Sequence, residues 1–391
     1  MLNRIEIKNL FGLYTYDLTS LFSEEAPIRF ITGPNGYGKS TILKILSRLF
    51  ICDFEYFKSL CFDELLFSFD DYQLEVVKLN TSVHVEGEDI SKNQSELAKS
   101  VKFSLKNATE NISYVLSSES KDDVAKMRIE MFLSGESHYL IKDQRLYWHD
   151  AWDHEDKLIS SSENTVNRNA DCLRRKLLKC REEIRQILSI QSLSLDGASI
   201  SEKEYTCRKK EMIPVLDKLK SYGLANNGFI LPEYKKDASS LMRTFVEMAE
   251  HANKQSETLL KQVDLFKEII EGSDFADKEF QISPDYGYRF VSCNSDRTLL
   301  DGSDLSSGEQ HILIQAYELI FNAQEGALTL IDEPEMSFHL MWQMDYLKNL
   351  SKIVKQKKLQ CLVATHSPQI FDSMWDLTYD LYEITHPKIV E

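Results

Sequence analysis

The sequence predicts an α/β protein: a mixed sheet flanked by helices, an antiparallel β subdomain and a helical insertion. Three observations carry that expectation. An apolar strand, a glycine-rich loop and an amphipathic helix follow one another over residues 27–50. Short alternating runs dominate from about residue 72 to 150. Two helical runs with a seven-residue repeat lie between 165 and 272, after which strand patterns return. The expected organisation is a first lobe with the β subdomain over 1–164, a helical insertion over 165–272 and a second lobe over 273–391.

The elements follow from residue patterns. Ile5, Ile7 and Leu10 alternate with polar residues, and Tyr14-Thr-Tyr-Asp-Leu18 reads as a returning strand. Pro27-Ile-Arg-Phe-Ile-Thr32 is an apolar strand running into the glycine loop. From Thr41 to Phe50, Ile42, Ile45, Leu46 and Leu49 share one helical face. Further strands are expected at Gln73–Val77, Val101–Leu105, Ile112–Leu116 and Met127–Met131. In the first helical run Val166, Leu173, Cys180 and Ile187 form one row, beside Ala170, Leu177 and Ile184. In the second, Phe245, Ala252, Leu259 and Phe266 lie beside Ala249, Val263 and Ile270, with Ser256 interrupting. Such rows fit either a short coiled-coil seam or amphipathic helices packed on the body. Pro214, Gly223 and Gly228 punctuate the connection.

Composition narrows the class. Hydrophobic residues at 42% and charged residues at 28% fit a soluble globular protein, and no apolar run is long enough for a membrane helix. The charged start, Met1-Leu-Asn-Arg-Ile-Glu-Ile-Lys8, is unlike a secretion signal. Seven scattered cysteines without a Cys-x-x-Cys pair suggest a reduced, cytoplasmic chain with neither zinc nor disulfides. A net charge of -16 disfavours broad binding to nucleic-acid phosphates. The basic clusters at 174–176, 208–210 and 352–358 read as solvated helix faces.

Four strings carry the chemistry. Gly33-Pro-Asn-Gly-Tyr-Gly-Lys-Ser-Thr41 matches Gly-x-x-x-x-Gly-Lys-Ser/Thr in full. Its glycines let backbone amides turn inward around phosphate oxygens, and the following helix adds its N-terminal dipole. The nucleotide-binding candidates are Gly33, Asn35, Gly36, Tyr37, Gly38, Lys39, Ser40 and Thr41. Lys39 is expected to reach the β- and γ-phosphates, and Ser40 to bind Mg²⁺. Ala327-Leu-Thr-Leu-Ile331 is an apolar strand ending in Asp332, expected on the magnesium shell, and Glu333, expected as general base. Leu305-Ser-Ser-Gly-Glu-Gln310 opens a helix whose N-terminus, with Ser306, Ser307, Gly308 and Glu309, suits a second anion site. Because residues 33–41 already cradle this chain's nucleotide, that site points to the γ-phosphate on a partner copy. Ala364-Thr-His366-Ser-Pro368 ends a further apolar strand, where His366 can hydrogen-bond the γ-phosphate or the attacking water.

These strings resemble the ABC-type P-loop ATPase heads shared by transporters, SMC proteins, RecF and OLD-family ATPases. Glu333-Pro-Glu335, His339 and Gln343 look like the OLD-like branch, with Phe338 and Leu340 in place of its usual leucine and proline. The resemblance covers roughly residues 1–50 and 280–391 and says little about 51–279. It implies ATP and Mg²⁺ as ligands and a homodimer closed through composite ATP sites, or a higher oligomer such as a hexamer. The long interval between the glycine loop and Ser306 counts against a transporter. Size and the helical insertion resemble AriA, the ATPase family of the PARIS antiphage system. That likeness implies a sensor and scaffold that holds a TOPRIM-type nuclease effector, AriB-like, until a phage trigger protein releases it. The sequence ends soon after His366, so the nuclease is expected on a separate chain. The alternative is a RecF- or SMC-like DNA-binding repair ATPase, which the acidic balance disfavours.

Overall fold

The computed structural model describes residues 1–23, 25–79, 100–116, 123–142, 164–189, 198–372 and 374–386. Parts of the expected strand run (80–99, 117–122 and 143–150) lie outside these residues. The chain opens with β1 (Leu2–Leu10), β2 (Tyr14–Thr19), β3 (Ile28–Thr32), α1 (Lys39–Phe50) and α2 (Phe54–Ser59). Next come β4 (Glu64–Phe69), β5 (Tyr72–Lys78), β6 (Val101–Asn107), β7 (Asn111–Leu116), α3 (Asp123–Ser134) and β8 (His138–Ile141). Three helices follow, α4 (Thr165–Ile187), α5 (Glu202–Ser221) and α6 (Ser239–Gly272). They lead to β9 (Lys278–Ser283), β10 (Gly287–Ser292), β11 (Leu299–Leu300) and α7 (Ser307–Tyr317). The chain closes with β12 (Leu328–Asp332), α8 (Leu340–Lys357), β13 (Gln360–Ala364), β14 (Thr378–Asp380) and α9 (Leu381–Thr385).

Two units result: residues 1–143 with 321–391, and residues 144–320. The stretch 273–320, with the Ser306–Glu309 turn, thus groups with the helices.

The first unit holds a five-stranded parallel sheet, ordered β14-β3-β13-β12-β8, and a six-stranded antiparallel sheet, ordered β2-β1-β4-β5-β6-β7. β12 is buried along its whole length, as a parallel strand covered on both faces must be. Burial alternates in β4, as in an antiparallel strand with one face on the core. The predicted apolar face of α1 (Ile42, Ile45, Leu46 and Leu49) is fully buried. It shares one core with Ile5, Ile7 and Phe67 of the antiparallel sheet and Leu330 and Leu362 of the parallel one.

Residues 127–131, expected as a strand, lie in α3 instead. The apparent alternation of Met127, Ile129 and Met131 misleads, because both methionines are exposed. The buried residues are Ala125, Ile129 and Leu133, spaced four apart on a helical face.

In the second unit, α4 and α6 pack on one another and on the three-stranded antiparallel sheet ordered β11-β10-β9. Phe266 of α6 meets Phe280, Tyr288 and Tyr317 at centroid distances of 5.6, 5.5 and 6.2 Å. The Tyr288 hydroxyl donates to the Val166 carbonyl at 2.7 Å, and full burial raises its pKa well above the ordinary phenol value. Arg208 of α5 grips Glu250 of α6 through two 2.7 Å hydrogen bonds, and Lys218 pairs with Asp264. Buried residues on α6 include Met242, Val246, Met248 and Leu260 besides Ala249, Ala252, Val263, Phe266 and Ile270 of the predicted rows, with Phe245 and Leu259 only partly buried, a wider stripe than a two-row seam. Of the two alternatives, amphipathic packing within the unit describes these helices. Pro214 does not break the chain but lies inside α5.

Candidate functional site

The loop between β3 and α1 turns on glycines. Gly38 caps α1 with φ of 84°, and a Cβ there would stand 3.0 Å from Leu10 Cδ2 and 3.3 Å from Phe11. Any larger residue would therefore be strained twice, by its backbone and by its neighbours. Asn35 and Gly36 are exposed, whereas Lys39 is buried at the first turn of the helix. The Lys39 ammonium donates to the carbonyls of Gly33 at 2.7 Å and Pro34 at 3.0 Å, and lies 3.3 Å from His366 Nδ1. Desolvation lowers its pKa, and the negative charges of Glu333, Asp332, Glu335 and Asp380 work against that shift.

The acid-ended strand arrives beside it. β12 runs parallel to β13, which places Asp332 opposite Ala364. Ser40 Oγ donates to Asp332 Oδ1 at 2.9 Å, joining the start of α1 to the end of β12. A hydroxyl and a carboxylate oxygen so close together form the hard-oxygen pair that a divalent cation takes, so these residues fit Mg²⁺. Glu333 follows in a left-handed backbone conformation, φ 44°, with its amide donating to the Ala364 carbonyl at 2.9 Å. A non-glycine residue there costs on the order of 1–2 kcal/mol. The strained turn swings the Glu333 carboxylate out of the strand, to 3.4 Å from His366 Nε2. Lys39, Ser40, Asp332, Glu333 and His366, each a candidate in the sequence, thus lie together.

The sequence named Glu335 and Tyr37 but not the groups they meet. Glu335 Oε1 accepts hydrogen bonds from Thr365 Oγ1 at 2.8 Å and from the His366 amide at 2.7 Å. Tyr37 stacks on Tyr14, with centroids 5.0 Å apart, and its carbonyl accepts the Tyr16 hydroxyl at 2.6 Å. On its other side Tyr382 lies 5.8 Å away. An aromatic cluster thus braces the loop through contacts distant in sequence.

The Ser306–Glu309 turn belongs to the second unit. Ser306 and Ser307 are exposed at the start of α7, while Gly308 and Glu309 are buried. Ser306 and Glu309 form a capping box: the Ser306 amide donates to Glu309 Oε2 at 2.7 Å, and the Glu309 amide to Ser306 Oγ at 3.3 Å. Lys278 of β9 pairs with Glu309 Oε1 at 2.8 Å. The Glu309 carboxylate therefore faces inward, and the exposed part of the turn is its two serines. Lys278 was invisible to sequence reasoning because its partner is 31 positions away in another element.

A phosphate-type loop, an acid-ended parallel strand and a histidine loop around one lysine define a P-loop ATPase. The chain belongs to the AAA ATPase domain family, whose profile matches residues 1–371. No curated protein sequence matches it. Among solved structures, the SMC head domain from Thermotoga maritima is 12% identical over 96% of this chain and 92% of that one, with a TM-score of 0.36. An SMC head with an extended coiled coil, bound to the C-terminal domain of ScpA and derived from Pyrococcus furiosus, is 11% identical. That alignment covers 95% of this chain and 90% of the other at a TM-score of 0.36. An SmcHead bound to the C-winged helix domain of ScpA is 11% identical over 94% and 90% of the two chains, at 0.35. Among the described residues no helix is long and apolar enough to cross a membrane.

Proposed function

We propose that this chain is an ABC-type ATPase whose nucleotide site is completed by the Ser306–Glu309 turn of a second copy. The observation that carries the reading is the convergence of Lys39, Glu333 and His366, with Ser40 and Asp332 2.9 Å apart beside them. On this reading the amides of residues 33–41 and the Lys39 ammonium bind the phosphates of ATP. Lys39 would exchange its loop carbonyls for β- and γ-phosphate oxygens. Ser40 and Asp332 would hold Mg²⁺, which supplies positive charge to the phosphate oxygens. The Glu333 carboxylate takes the proton of the attacking water, and His366 orients that water or the γ-phosphate. Ser306, Ser307 and the N-terminus of α7 offer hydroxyls and amides to the partner's γ-phosphate.

Resemblance to the OLD-like branch and AriA extends the proposal. ATP-dependent association of heads would hold a separate TOPRIM-type nuclease until a phage trigger releases it. The SMC heads crystallised with ScpA are consistent with heads that bind partner proteins.

The test is ATP turnover and association state of the purified chain. Lys39→Ala is expected to abolish ATP binding, and Glu333→Gln to abolish turnover while trapping an ATP-dependent dimer or higher oligomer by light scattering. A wild-type chain that neither binds nor hydrolyses ATP would sink the ATPase reading. Unchanged association by Glu333→Gln with ATP would remove the composite site. Failure to co-purify with a co-expressed TOPRIM-type nuclease encoded beside it would remove the effector role.

A further inference from the structure

We propose that Glu335 is a positioning residue that fixes the histidine loop to the acidic turn, so that His366 stays between Lys39 and Glu333. It deepens the ATPase reading, and rests on it for the role of His366.

The geometry is a clamp across two segments that the sequence separates by 30 positions. One oxygen of Glu335 takes both the Thr365 hydroxyl proton, at 2.8 Å, and the His366 amide proton, at 2.7 Å. Thr365 is fully buried, and its hydroxyl oxygen in turn accepts the Ser367 amide at 3.0 Å. Three consecutive residues of the loop are thus tied, directly or through one hydroxyl, to a single carboxylate. Ser367 adds a second tie, donating to Gln343 Oε1 at 2.6 Å, while Gln343 Nε2 donates to the Phe338 carbonyl at 3.1 Å. The single Ser367 hydroxyl proton also has Gln369 Oε1 within reach at 2.8 Å, so Glu335 is the stronger of the two ties.

Backbone anchoring matters because the His366 ring has two polar contacts to satisfy at once. Its Nδ1 lies 3.3 Å from Lys39 and its Nε2 3.4 Å from Glu333, so the ring bridges the cation and the strained carboxylate. The ring is a third exposed. A shift of about 1 Å in a catalytic group can cost on the order of 100-fold in rate. Glu335 Oε2 is buried and has no hydrogen-bond partner among the described residues. An amide could accept both protons through its oxygen, with an NH₂ group in place of the unpaired Oε2.

The experiment combines ATPase kinetics with hydrogen exchange on the full-length chain. Glu335→Ala is expected to lower kcat about 10- to 100-fold with KM for ATP within about threefold, because the phosphates are bound by residues 33–41. Thr365→Val, which removes one of the two donors, is expected to lower kcat less and in the same direction. His366→Ala combined with Glu335→Ala is expected to be no slower than His366→Ala alone, since one residue acts through the other. Amide exchange at His366 and Ser367 should quicken in Glu335→Ala, a readout independent of turnover. The proposal is overturned if kcat stays within about twofold of wild type, if the two losses multiply, or if exchange there is unchanged. If Glu335→Ala fails to fold, Thr365→Val decides by the same exchange and kinetic criteria. Unchanged exchange in a chain whose ATPase activity responds to Lys39→Ala refutes the clamp alone. Faster exchange in a chain without any ATPase activity upholds the clamp and refutes the ATPase reading.

Discussion

Lys278→Met isolates what the buried pair with Glu309 contributes to the second unit. The Glu309 side chain is 6% exposed and that of Lys278 21%. Removing the lysine leaves a buried carboxylate without its cation, a change that typically costs about 3–5 kcal/mol. Two features of this site reduce that figure. The Ser306 amide still donates to Glu309 Oε2 at 2.7 Å, and the N-terminal dipole of α7 stabilises an anion by about 0.3–1 kcal/mol. The expected loss is therefore about 2–4 kcal/mol. Glu309→Gln should cost less, about 1–2 kcal/mol, because the amide oxygen keeps the Ser306 bond and the more exposed lysine can turn toward water. With both groups replaced, no buried charge remains. The double variant should then be about 1–3 kcal/mol more stable than the sum of the two losses predicts. Urea denaturation followed by circular dichroism measures all four corners of the cycle. Losses that add within about 0.5 kcal/mol, or a Lys278→Met loss smaller than that of Glu309→Gln, would refute the reasoning.

Gly287→Ala should be among the most damaging single-methyl changes in this chain. Position 287 has φ of 74°, and a Cβ would overlap the Ala170 carbonyl of α4 and stand 3.0 Å from the Arg174 amide, so a loss above about 3 kcal/mol is expected by the same urea assay. A loss under about 1 kcal/mol would mean that β10 and α4 do not pack this closely. Pro214→Ala should act in the opposite sense, because Pro214 is exposed within α5 and a proline there removes an intrahelical hydrogen bond. After allowing for the extra freedom of the unfolded chain, a gain of about 1–2 kcal/mol is expected, and an unchanged or lower urea midpoint would contradict it.

The candidate site was legible where chemistry follows local spacing. Gly33–Thr41 announces itself because amides that surround a phosphate must come from consecutive residues. Asp332 and Glu333 were readable because a parallel strand covered on both faces is a continuous apolar run, and its end is where side chains emerge. Burial decided the cases that spacing left ambiguous. Met127, Ile129 and Met131 fit a strand by alternation, yet only Ile129 is buried and the segment is helical. The row Phe245, Ala252, Leu259 and Phe266 fits a heptad, yet α6 buries a broader face against a sheet and its neighbouring helices.

What the sequence determined by itself was the inventory: the glycine loop, the acid-ended strand, the serine-glycine turn and the histidine, each a short-range pattern with its own physical requirement. The tertiary structure decided which groups meet. Ser40 and Asp332 are 292 positions apart and share a hydrogen bond, and Lys39 and His366, 327 apart, lie 3.3 Å from one another. Parallel pairing of β3, β13 and β12 brings their ends together, since strands in register deliver their following loops to one edge of the sheet. Which groups pair, Lys278 with Glu309 and Glu335 with Thr365 and His366, came only from that packing, although Glu335 belongs to the Glu333-Pro-Glu335 string. Long-range contacts of this kind leave no periodicity in a single chain, because either partner alone is an ordinary charged residue.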